Sequence, residues 1–261
     1  MQAGAGTRGC VTMGDVDALC GWLREHLLSG LHRAVVGISG GVDSSVVAAL
    51  CVRAVGRDHT VLVRMPCGAD PDVRWTNTLV KHLGCTADAL PVNIRSAYEA
   101  MEKELRFATG DPLLNALTCG NMQARLRMVA LYAVANHRGG LVVGTTNAAE
   151  AYIGYATKYG DHGVDLEPLL AFDKGEVRQL GRLLGLPEAL VDRPPTAGLW
   201  IGQTDQEELG GILGTSNVYG AIDAYLRGEA IEVEVARKID ELHTVSAHKR
   251  CVPPHFRREP A

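Results

Sequence analysis

Residues 37–44 read GISGGVDS, and the segments on either side of this stretch decide the fold class. Ala34 to Ile38 is a short apolar run rich in β-branched residues, which predicts a buried strand. Ser44 to Val55 has apolar residues at helical spacing until Gly56, which predicts a helix. The order is therefore strand, glycine loop, helix, in which the backbone amides at a helix N-terminus can bind phosphate.

The loop itself has the groups that phosphate binding requires. Its glycines expose backbone N–H groups, Ser39 and Ser44 add hydroxyls, and the helix macrodipole adds positive potential. It is not a Walker A loop, because no GK[ST] follows. Asp43 would repel phosphates unless a cation intervened, so we expect this carboxylate to hold Mg²⁺. The alternative to a phosphate-binding loop is a structural turn that binds no ligand, which is the usual interpretation of two adjacent glycines on their own.

Apolar strands and amphipathic helices alternate along the rest of the chain. Further strands are predicted at 60–65, 90–94 and 140–144, and helices at 15–28, 74–83, 96–107, 122–135 and 174–184. This alternation predicts an α/β fold, a doubly wound parallel sheet of Rossmann-like type with helices on both faces. Ligands bind at the carboxyl ends of the strands in such folds, where residues 37–44, 66–71 and 145–150 fall.

Bulk composition is that of an ordinary globular enzyme. The 261 residues are 46% hydrophobic and 21% charged, and the formal net charge of -4 gives no general attraction to nucleic acid. We expect one catalytic domain spanning 1–261, with a flexible N-terminus at 1–13. The glycine- and proline-rich stretch 195–217 is expected to be a mobile loop ordered by nucleotide.

Cysteine usage and the N-terminus indicate the cellular compartment. The seven cysteines are odd in number and never closer than ten residues, which argues against a disulfide framework and a CxxC site. Neither a long apolar run nor a signal peptide is present, so no membrane partner is expected. The sequence therefore predicts a cytoplasmic protein with free thiols.

Six further motifs support a narrower interpretation. They are GNMQARLRM at 120–128, GTTNAAE at 144–150, GYATKYGD at 154–161, PPTAGLW at 194–200, GQTD at 202–205 and HKR at 248–250. SGGxDS resembles the signature of the PP-loop ATP pyrophosphatases, and the whole set resembles the ammonia-dependent NAD synthetases. The motifs occur in that family's order and cover the chain from about residue 14 to 255.

The resemblance implies a reaction and its participants. ATP is the expected co-substrate, Mg²⁺ the expected metal, and nicotinic acid adenine dinucleotide and ammonia the expected substrates. The carboxylate would attack the α-phosphorus of ATP, releasing pyrophosphate, and ammonia would convert the acyl adenylate to NAD and AMP. The family also implies a homodimer, with the dinucleotide bound partly across the subunit interface.

The resemblance also implies individual site residues. The expected ATP contacts are Gly37, Ile38, Ser39, Gly40, Gly41, Val42, Asp43, Ser44, Thr145, Lys174 and Thr196. The expected metal ligands are Asp43 and Glu150, and the expected dinucleotide contacts are Arg125, Lys158, Asp165, His248 and Lys249. Asp43 and Lys174 are the expected catalytic residues, with Asp161 or Asp205 to hold or deprotonate ammonium.

Two segments depart from the family pattern. Met65 to Trp75 lacks the acidic run that the family often has there, and Gly211 to Ser216 resembles a short insertion in the second mobile loop. No amidase segment precedes the PP-loop in this sequence, so we expect free ammonia or a separate amidase partner to supply the nitrogen.

Three alternatives stay open from sequence. One is a paralogous amidating ligase that acts on another carboxylate, which the two departures suggest. The second is a tRNA-modifying PP-loop enzyme, which the net charge and the cysteine spacing disfavour. The third is an inactive regulatory binder, which is disfavoured because Asp43, Glu150 and Lys174 are all present.

Overall fold

Four parallel strands form the central sheet of the computed structural model, which describes residues 10–30, 32–85, 89–193 and 205–256. The strands are β1 Arg33–Gly37, β2 Thr60–Arg64, β3 Ala89–Pro91 and β4 Gly140–Val143, in the order β3-β2-β1-β4. Val35 of β1 lies opposite Val61 on one side and Val142 on the other. The chain thus moves outward from β1 in both directions, which creates a crevice at the carboxyl ends of β1 and β4.

Helices connect and follow these strands. They are α1 Met13–Leu28, α2 Val42–Val55, α3 Val73–Leu83, α4 Arg95–Thr109, α5 Ala116–Arg138, α6 Ala148–Ile153, α7 Lys174–Leu183, α8 Glu188–Val191, α9 Asp205–Leu213, α10 Val218–Leu226 and α11 Val233–Val245. Short 3₁₀ turns occur at Arg57–His59 and Ala247–Lys249.

Alternate residues of β1 face opposite sides of the sheet. Ala34 and Val36 pack into a core with α1, α2 and α7, whereas Val35 packs with β2, β4 and α5 on the other face. Both faces of the strand are fully buried, which is why the segment is apolar throughout rather than alternating. The predicted doubly wound parallel sheet is confirmed.

A second buried cluster lies among the C-terminal helices. It joins α6, α9, α10 and α11 through residues such as Ile153, Leu213, Ile222 and Ile239. This cluster matters for the site because α6 carries one expected metal ligand and α10 packs against α7. The single-domain assignment for residues 1–261 stays a prediction.

Several boundaries differ from the sequence prediction. The helix expected at 122–135 begins earlier because Asn115 caps it through the amide of Thr118, and it continues to Gly139, whose positive φ ends it. The third strand is only Ala89–Pro91, since an irregular segment replaces its expected end. Residues 205–213 of the expected mobile loop form α9, while residues 194–204 lie outside the described residues, so mobility stays a prediction.

Two further observations concern the chain as a whole. In the described ranges, none of the helices combines the length and the apolar character that crossing a membrane requires. All seven cysteines lie in described segments and none is disulfide-bonded, which agrees with the free thiols expected from sequence.

Candidate active site

A cavity of about 860 Å³ opens at the carboxyl ends of the parallel strands. Its wall includes the loop after β1, the segment after β2, one face of α5, the end of β4 and the first residue of α7. The expected ATP contacts Gly37, Ile38, Ser39, Gly41, Val42, Asp43, Ser44, Thr145 and Lys174 line it, together with the expected metal ligand Glu150. The topology therefore brings together residues that are up to 137 positions apart, from Gly37 to Lys174.

The PP-loop is held in shape by its own hydroxyls and by a close contact behind it. Ser39 Oγ lies 3.2 Å from Ser44 Oγ, and Ser45 Oγ donates to the Gly41 carbonyl at 2.7 Å. Gly40 adopts a positive φ of 76°, and a Cβ there would lie 2.6 Å from Trp75. Glycine is required at this position, because any side chain would push the loop away from α3.

Lys174 forms the electrostatic centre of the site. Its Nζ donates to Asp43 Oδ2 at 2.6 Å and to Glu150 Oε1 at 3.2 Å. The lysine side chain is 3% exposed and the two carboxylates 17% and 16%. One buried ammonium group thus holds together two carboxylates from α2 and α6, which the sequence separates by more than a hundred residues.

Two neutral side chains hold the carboxylates in place. Asn147, the N-cap of α6, donates its Nδ2 to Asp43 at 3.1 Å, while its Oδ1 accepts from the amide of Glu150 at 3.0 Å. Tyr219 donates its hydroxyl to Glu150 at 3.2 Å, and its ring lies 4.7 Å from Lys174 Nζ. Neither residue is among the site residues expected from sequence. The available signal was that Asn147 lies within the GTTNAAE motif and that asparagine is a favoured residue type at a helix N-cap.

A third set of contacts fixes the start of α7. Asp173 caps this helix through the amide of Glu176 at 2.8 Å, and Arg227, which follows the last residue of α10, donates to Asp173 at 2.7 Å. Asp223 faces the backbone amides of Lys174 and Gly175, and burial raises the pKa of its carboxyl to about 7. These contacts position Lys174, since it is the first residue of the helix.

The donor set at this point fits a magnesium ion. Mg²⁺ in nucleotide sites is held by one or two carboxylates, with substrate phosphates and water completing its octahedron. Asp43 and Glu150 provide such a pair on the wall next to the PP-loop. Both carboxylates contact the same ammonium group, so a positive charge already lies between them.

The opposite wall of the cavity carries Asp161. This residue is accessible from the cavity and accepts from the amide of Thr157 at 2.7 Å. Desolvation by the neighbouring protein groups raises the pKa of the Asp161 carboxyl, against the lowering effect of the Thr157 amide and of His162. A raised pKa makes this carboxylate a stronger base than an ordinary aspartate.

Lys249 lies beside Asp161 in the cavity wall. Its Nζ donates to the carbonyls of Gly154 and Ala156, both at 2.8 Å. Burial lowers the pKa of this ammonium group, while Asp161 acts in the opposite direction. Of the five expected dinucleotide contacts, Lys249 is the one that lines this cavity.

The other four expected dinucleotide contacts lie outside the cavity wall of this single chain. Arg125 is exposed and donates Nε to the Lys158 carbonyl at 3.3 Å, and His248 is exposed near the end of the described chain. Asp165 accepts from the amide of Val142 at 2.8 Å and from the Tyr132 hydroxyl at 3.1 Å, so it also links β4 to α5. The assignment of these four residues stays a prediction.

Two expected site residues cannot be placed. Thr196 lies outside the described residues, and Asp205 is described only as the first residue of α9. Gly40 lies behind the loop, against Trp75, rather than in the cavity wall.

The cavity wall also contains arginines that are not among the expected ATP or dinucleotide contacts. Arg193 pairs with Asp72 and lies over the Trp75 ring at 5.4 Å, while Arg127 of α5 donates Nε to the Met65 carbonyl at 3.1 Å. Sequence position alone does not distinguish Arg127 from a surface arginine, because the direction of its side chain depends on how α5 packs against the sheet.

The site geometry agrees with comparison to known proteins. The NAD synthase family model matches residues 15–253. The chain is 41% identical to the NH(3)-dependent NAD(+) synthetase of Mesoplasma florum over 249 residues, which is 94% of this chain and 98% of the relative. The chain belongs to the NAD synthase family. The expected PP-loop fold and the expected class of ammonia-dependent, ATP-using ligases are thereby confirmed.

Solved structures of this family have the same fold. The NAD⁺ synthetase of Burkholderia pseudomallei superposes with a TM-score of 0.77 at 32% identity, covering 97% of this chain and 94% of that one. The NMN synthetase of Francisella tularensis superposes with a TM-score of 0.81 at 34% identity, covering 94% of this chain and 98% of that one. The solved structures to which this chain is similar are therefore described by two different products, NAD⁺ and NMN.

Proposed function

We propose that this protein adenylates the carboxylate of nicotinic acid adenine dinucleotide and transfers the acyl group to ammonia, giving NAD, AMP and pyrophosphate. The observation that carries the proposal is the Asp43–Lys174–Glu150 cluster beside the PP-loop, in the wall of a cavity of about 860 Å³. The names of the relatives, all NH(3)-dependent NAD(+) synthetases, support this product and this nitrogen source.

The first step requires that the triphosphate be held while the carboxylate attacks. The amides of the first turn of α2 and the hydroxyls of Ser39 and Ser44 bind its oxygens at the positive end of the helix. Lys174 neutralises the charge that develops on the departing pyrophosphate. The α-phosphorus gains the bond to the carboxylate oxygen and loses the bond to the β-phosphate bridge oxygen.

Asp43 and Glu150 would hold Mg²⁺ in this site. The bound ion supplies charge neutralisation for the phosphate oxygens. Asn147 and Tyr219 keep the two carboxylates aimed at the same point through their hydrogen bonds. Buried donors of this kind restrict the carboxylates to one orientation.

The second step requires neutral ammonia, whereas ammonium predominates in neutral solution. Asp161 is the proposed base, because it lines the cavity and desolvation raises the pKa of its carboxyl. It would accept one proton from ammonium. Ammonia then attacks the acyl carbon, the bond from that carbon to the AMP oxygen breaks as AMP departs with the electron pair, and the nitrogen loses its second proton to solvent. Asp205 is the alternative base from sequence.

The enzyme is proposed to act as a homodimer in the cytoplasm. Arg125, Lys158, Asp165 and His248 lie away from the cavity of one chain, which agrees with a dinucleotide that extends onto a second subunit. Light scattering tests the assembly, since a fully active monomer would contradict a shared site.

The direct test combines product identification with omission controls. The protein is incubated with ATP, Mg²⁺, ammonium and nicotinic acid adenine dinucleotide, and NAD, AMP and pyrophosphate are measured by chromatography. Equal amounts of the three products are expected, and none without ammonium or ATP. Recovery of ADP and phosphate instead would overturn the mechanism. In a parallel reaction, glutamine replaces ammonium. A separate amidase partner is indicated if the protein forms NAD from glutamine only when an amidase is added.

A second candidate acceptor is nicotinic acid mononucleotide. The observation that favours it is the similarity to the Francisella tularensis structure described as NMN synthetase, at 34% identity over 94% of this chain. The two candidates share one chemistry and differ in whether the acceptor has an adenylate half. Comparison of kcat/KM for the two acceptors, at saturating ATP and ammonium, decides between them. A higher value for the dinucleotide is expected.

A further inference from the structure

Arg127 differs in its pairing from the other cations of the cavity. The described wall contains five cationic side chains, Arg64, Arg127, Lys174, Arg193 and Lys249. Three of them are ion-paired with carboxylates, namely Arg64 with Asp70, Lys174 with Asp43 and Glu150, and Arg193 with Asp72. Lys249 is held by two backbone carbonyls.

Arg127 has one hydrogen bond, from Nε to the Met65 carbonyl at 3.1 Å, and no ion pair within the described ranges. Its two terminal nitrogens have no hydrogen-bond acceptor among the described residues and are not buried away from the cavity. A guanidinium held through Nε presents these two nitrogens as a fork that matches the two oxygens of a carboxylate or a phosphate.

The surroundings of Arg127 make an unpaired charge costly. Burial lowers the pKa of its guanidinium, whereas the charges of Cys67 and Asp161 act to raise this pKa. Asp161 acts on Arg127 only through space, because no hydrogen bond or ion pair joins these two residues in the described part of the chain. A partly buried cation without a carboxylate partner is stabilised when an anionic ligand enters.

The location of Arg127 is between the two walls that carry the chemistry. Leu131, one turn later on α5, lies 3.4 Å from the Cβ position of Gly37 at the start of the PP-loop. Ala124, about one turn earlier, lies 3.1 Å from the Cβ position of Gly160, next to Asp161. Arg127 therefore lies between the proposed triphosphate site and the proposed ammonia base.

We propose that Arg127 is an oxyanion-binding residue that holds a carboxylate or phosphate group of the substrates at the point where they react. This inference deepens the proposed function and rests on it for the identity of the acceptor. Two groups share the required chemistry, the carboxylate of the acceptor and a phosphate of either nucleotide. In both cases the fork binds the anion in the space between the PP-loop and Asp161.

Binding measurements with three probes separate the sources. Isothermal titration calorimetry is carried out on wild type, Arg127→Met and Arg127→Lys with the magnesium complex of α,β-methylene-ATP, with nicotinic acid adenine dinucleotide, and with NAD. NAD has a neutral carboxamide in place of the carboxylate. If the variants bind only nicotinic acid adenine dinucleotide more weakly than wild type does, Arg127 is assigned to the reacting carboxylate. If the variants bind both dinucleotides more weakly, Arg127 is assigned to a dinucleotide phosphate. If they bind the ATP analogue more weakly, Arg127 is assigned to the triphosphate.

The expected loss for Arg127→Met is on the order of tenfold to a hundredfold in Kd for the assigned probe, since a charge-assisted, bidentate contact is removed. Arg127→Lys is expected to recover part of it, because lysine keeps the charge but not the fork. Arg138→Met, at the exposed last turn of the same helix, is the matched control and should bind all probes as wild type does. Unchanged affinity of Arg127→Met for every probe would overturn the proposal.

Two controls keep the outcome interpretable. Circular dichroism and thermal unfolding of each variant establish that the fold is retained, and Arg127→Lys provides the measurement if Arg127→Met does not fold. If the wild-type protein converts neither the dinucleotide nor the mononucleotide to its amide, the proposed function fails. The ATP-analogue measurement then still tests whether Arg127 binds an oxyanion.

Discussion

The Nζ atom of Lys174 lies 2.6 Å from a carboxylate oxygen of Asp43, although the two residues are 131 positions apart in the chain. The same ammonium group also contacts Glu150, so one cation compensates two carboxylates that are both largely buried. Lys174 is thus the counter-ion of the two carboxylates proposed to hold magnesium. This arrangement leads to two of the predictions below.

Lys174→Met is expected to lower turnover by several orders of magnitude and to destabilise the protein without ligands. Loss of one partner from a buried ion pair costs about 3–5 kcal/mol, because the remaining charges are left uncompensated. Mg²⁺ can replace the missing cation, so we expect it to raise the Tm of the variant more than that of wild type. Differential scanning calorimetry with Mg²⁺ or EDTA provides the measurement. An equal response of both proteins would argue against the counter-ion role.

Asp43→Asn and Glu150→Gln are each expected to reduce Mg²⁺-dependent turnover by orders of magnitude while the fold survives. Both substitutions keep the size of the side chain, but they replace one acceptor oxygen by an NH2 donor and remove a charged metal ligand. Steady-state kinetics across a Mg²⁺ titration gives the result. Asp70→Asn, which alters a carboxylate paired with Arg64 elsewhere in the cavity wall, serves as a comparison for nonspecific charge loss. Near-normal turnover at saturating Mg²⁺ would remove the substituted residue from the metal site.

Glu167 is expected to make stability depend on pH. Burial raises the pKa of its carboxyl to about 8 from an ordinary value of 4.5, despite the hydrogen bonds that it accepts from Thr146. Between these values the folded protein holds a proton that the unfolded chain has released, so the contribution of Glu167 to stability falls as pH rises from about 4.5 to about 8.

Glu167→Gln removes this titration and retains an oxygen that can accept from Thr146. We therefore expect the free energy of unfolding of the variant, relative to wild type, to become more favourable between pH 5 and pH 8. Urea unfolding at several pH values measures the difference. A difference that is the same at both pH values would contradict the raised pKa of Glu167.

Asp173→Ala is expected to weaken both stability and ATP use, because Asp173 is the N-cap of the helix that begins with Lys174. The loss of a capping side chain costs about 1–2 kcal/mol. The KM for ATP should rise, since Lys174 loses its support at the start of α7. Arg182→Met on the same helix removes an exposed pair with Asp192 and is expected to change the free energy of unfolding by less than about 0.5 kcal/mol. Equal effects of the two substitutions would refute the positioning role of Asp173.

The amino-acid sequence by itself determined the local elements and the class of chemistry. The apolar run ending in GISGGVDS predicts a buried strand, a glycine loop and a helix, because backbone geometry and hydrophobic periodicity are local properties. Asp43 is expected to hold a metal because it lies among phosphate donors, and Glu150 because of the family resemblance; the structure places both in one cavity wall. Their binding of Mg²⁺ stays a prediction for the experiments above.

Only the tertiary structure decided which of the remaining charged residues face the cavity. Arg125 and Arg127 are two positions apart on one helix, yet the structure exposes the first and directs the second into the cavity. Tyr219 contacts Glu150 because α10 packs beside α6 and α7, an arrangement that no local pattern specifies. Helical periodicity defines which residues share a face, but the direction of that face depends on contacts between segments far apart in sequence.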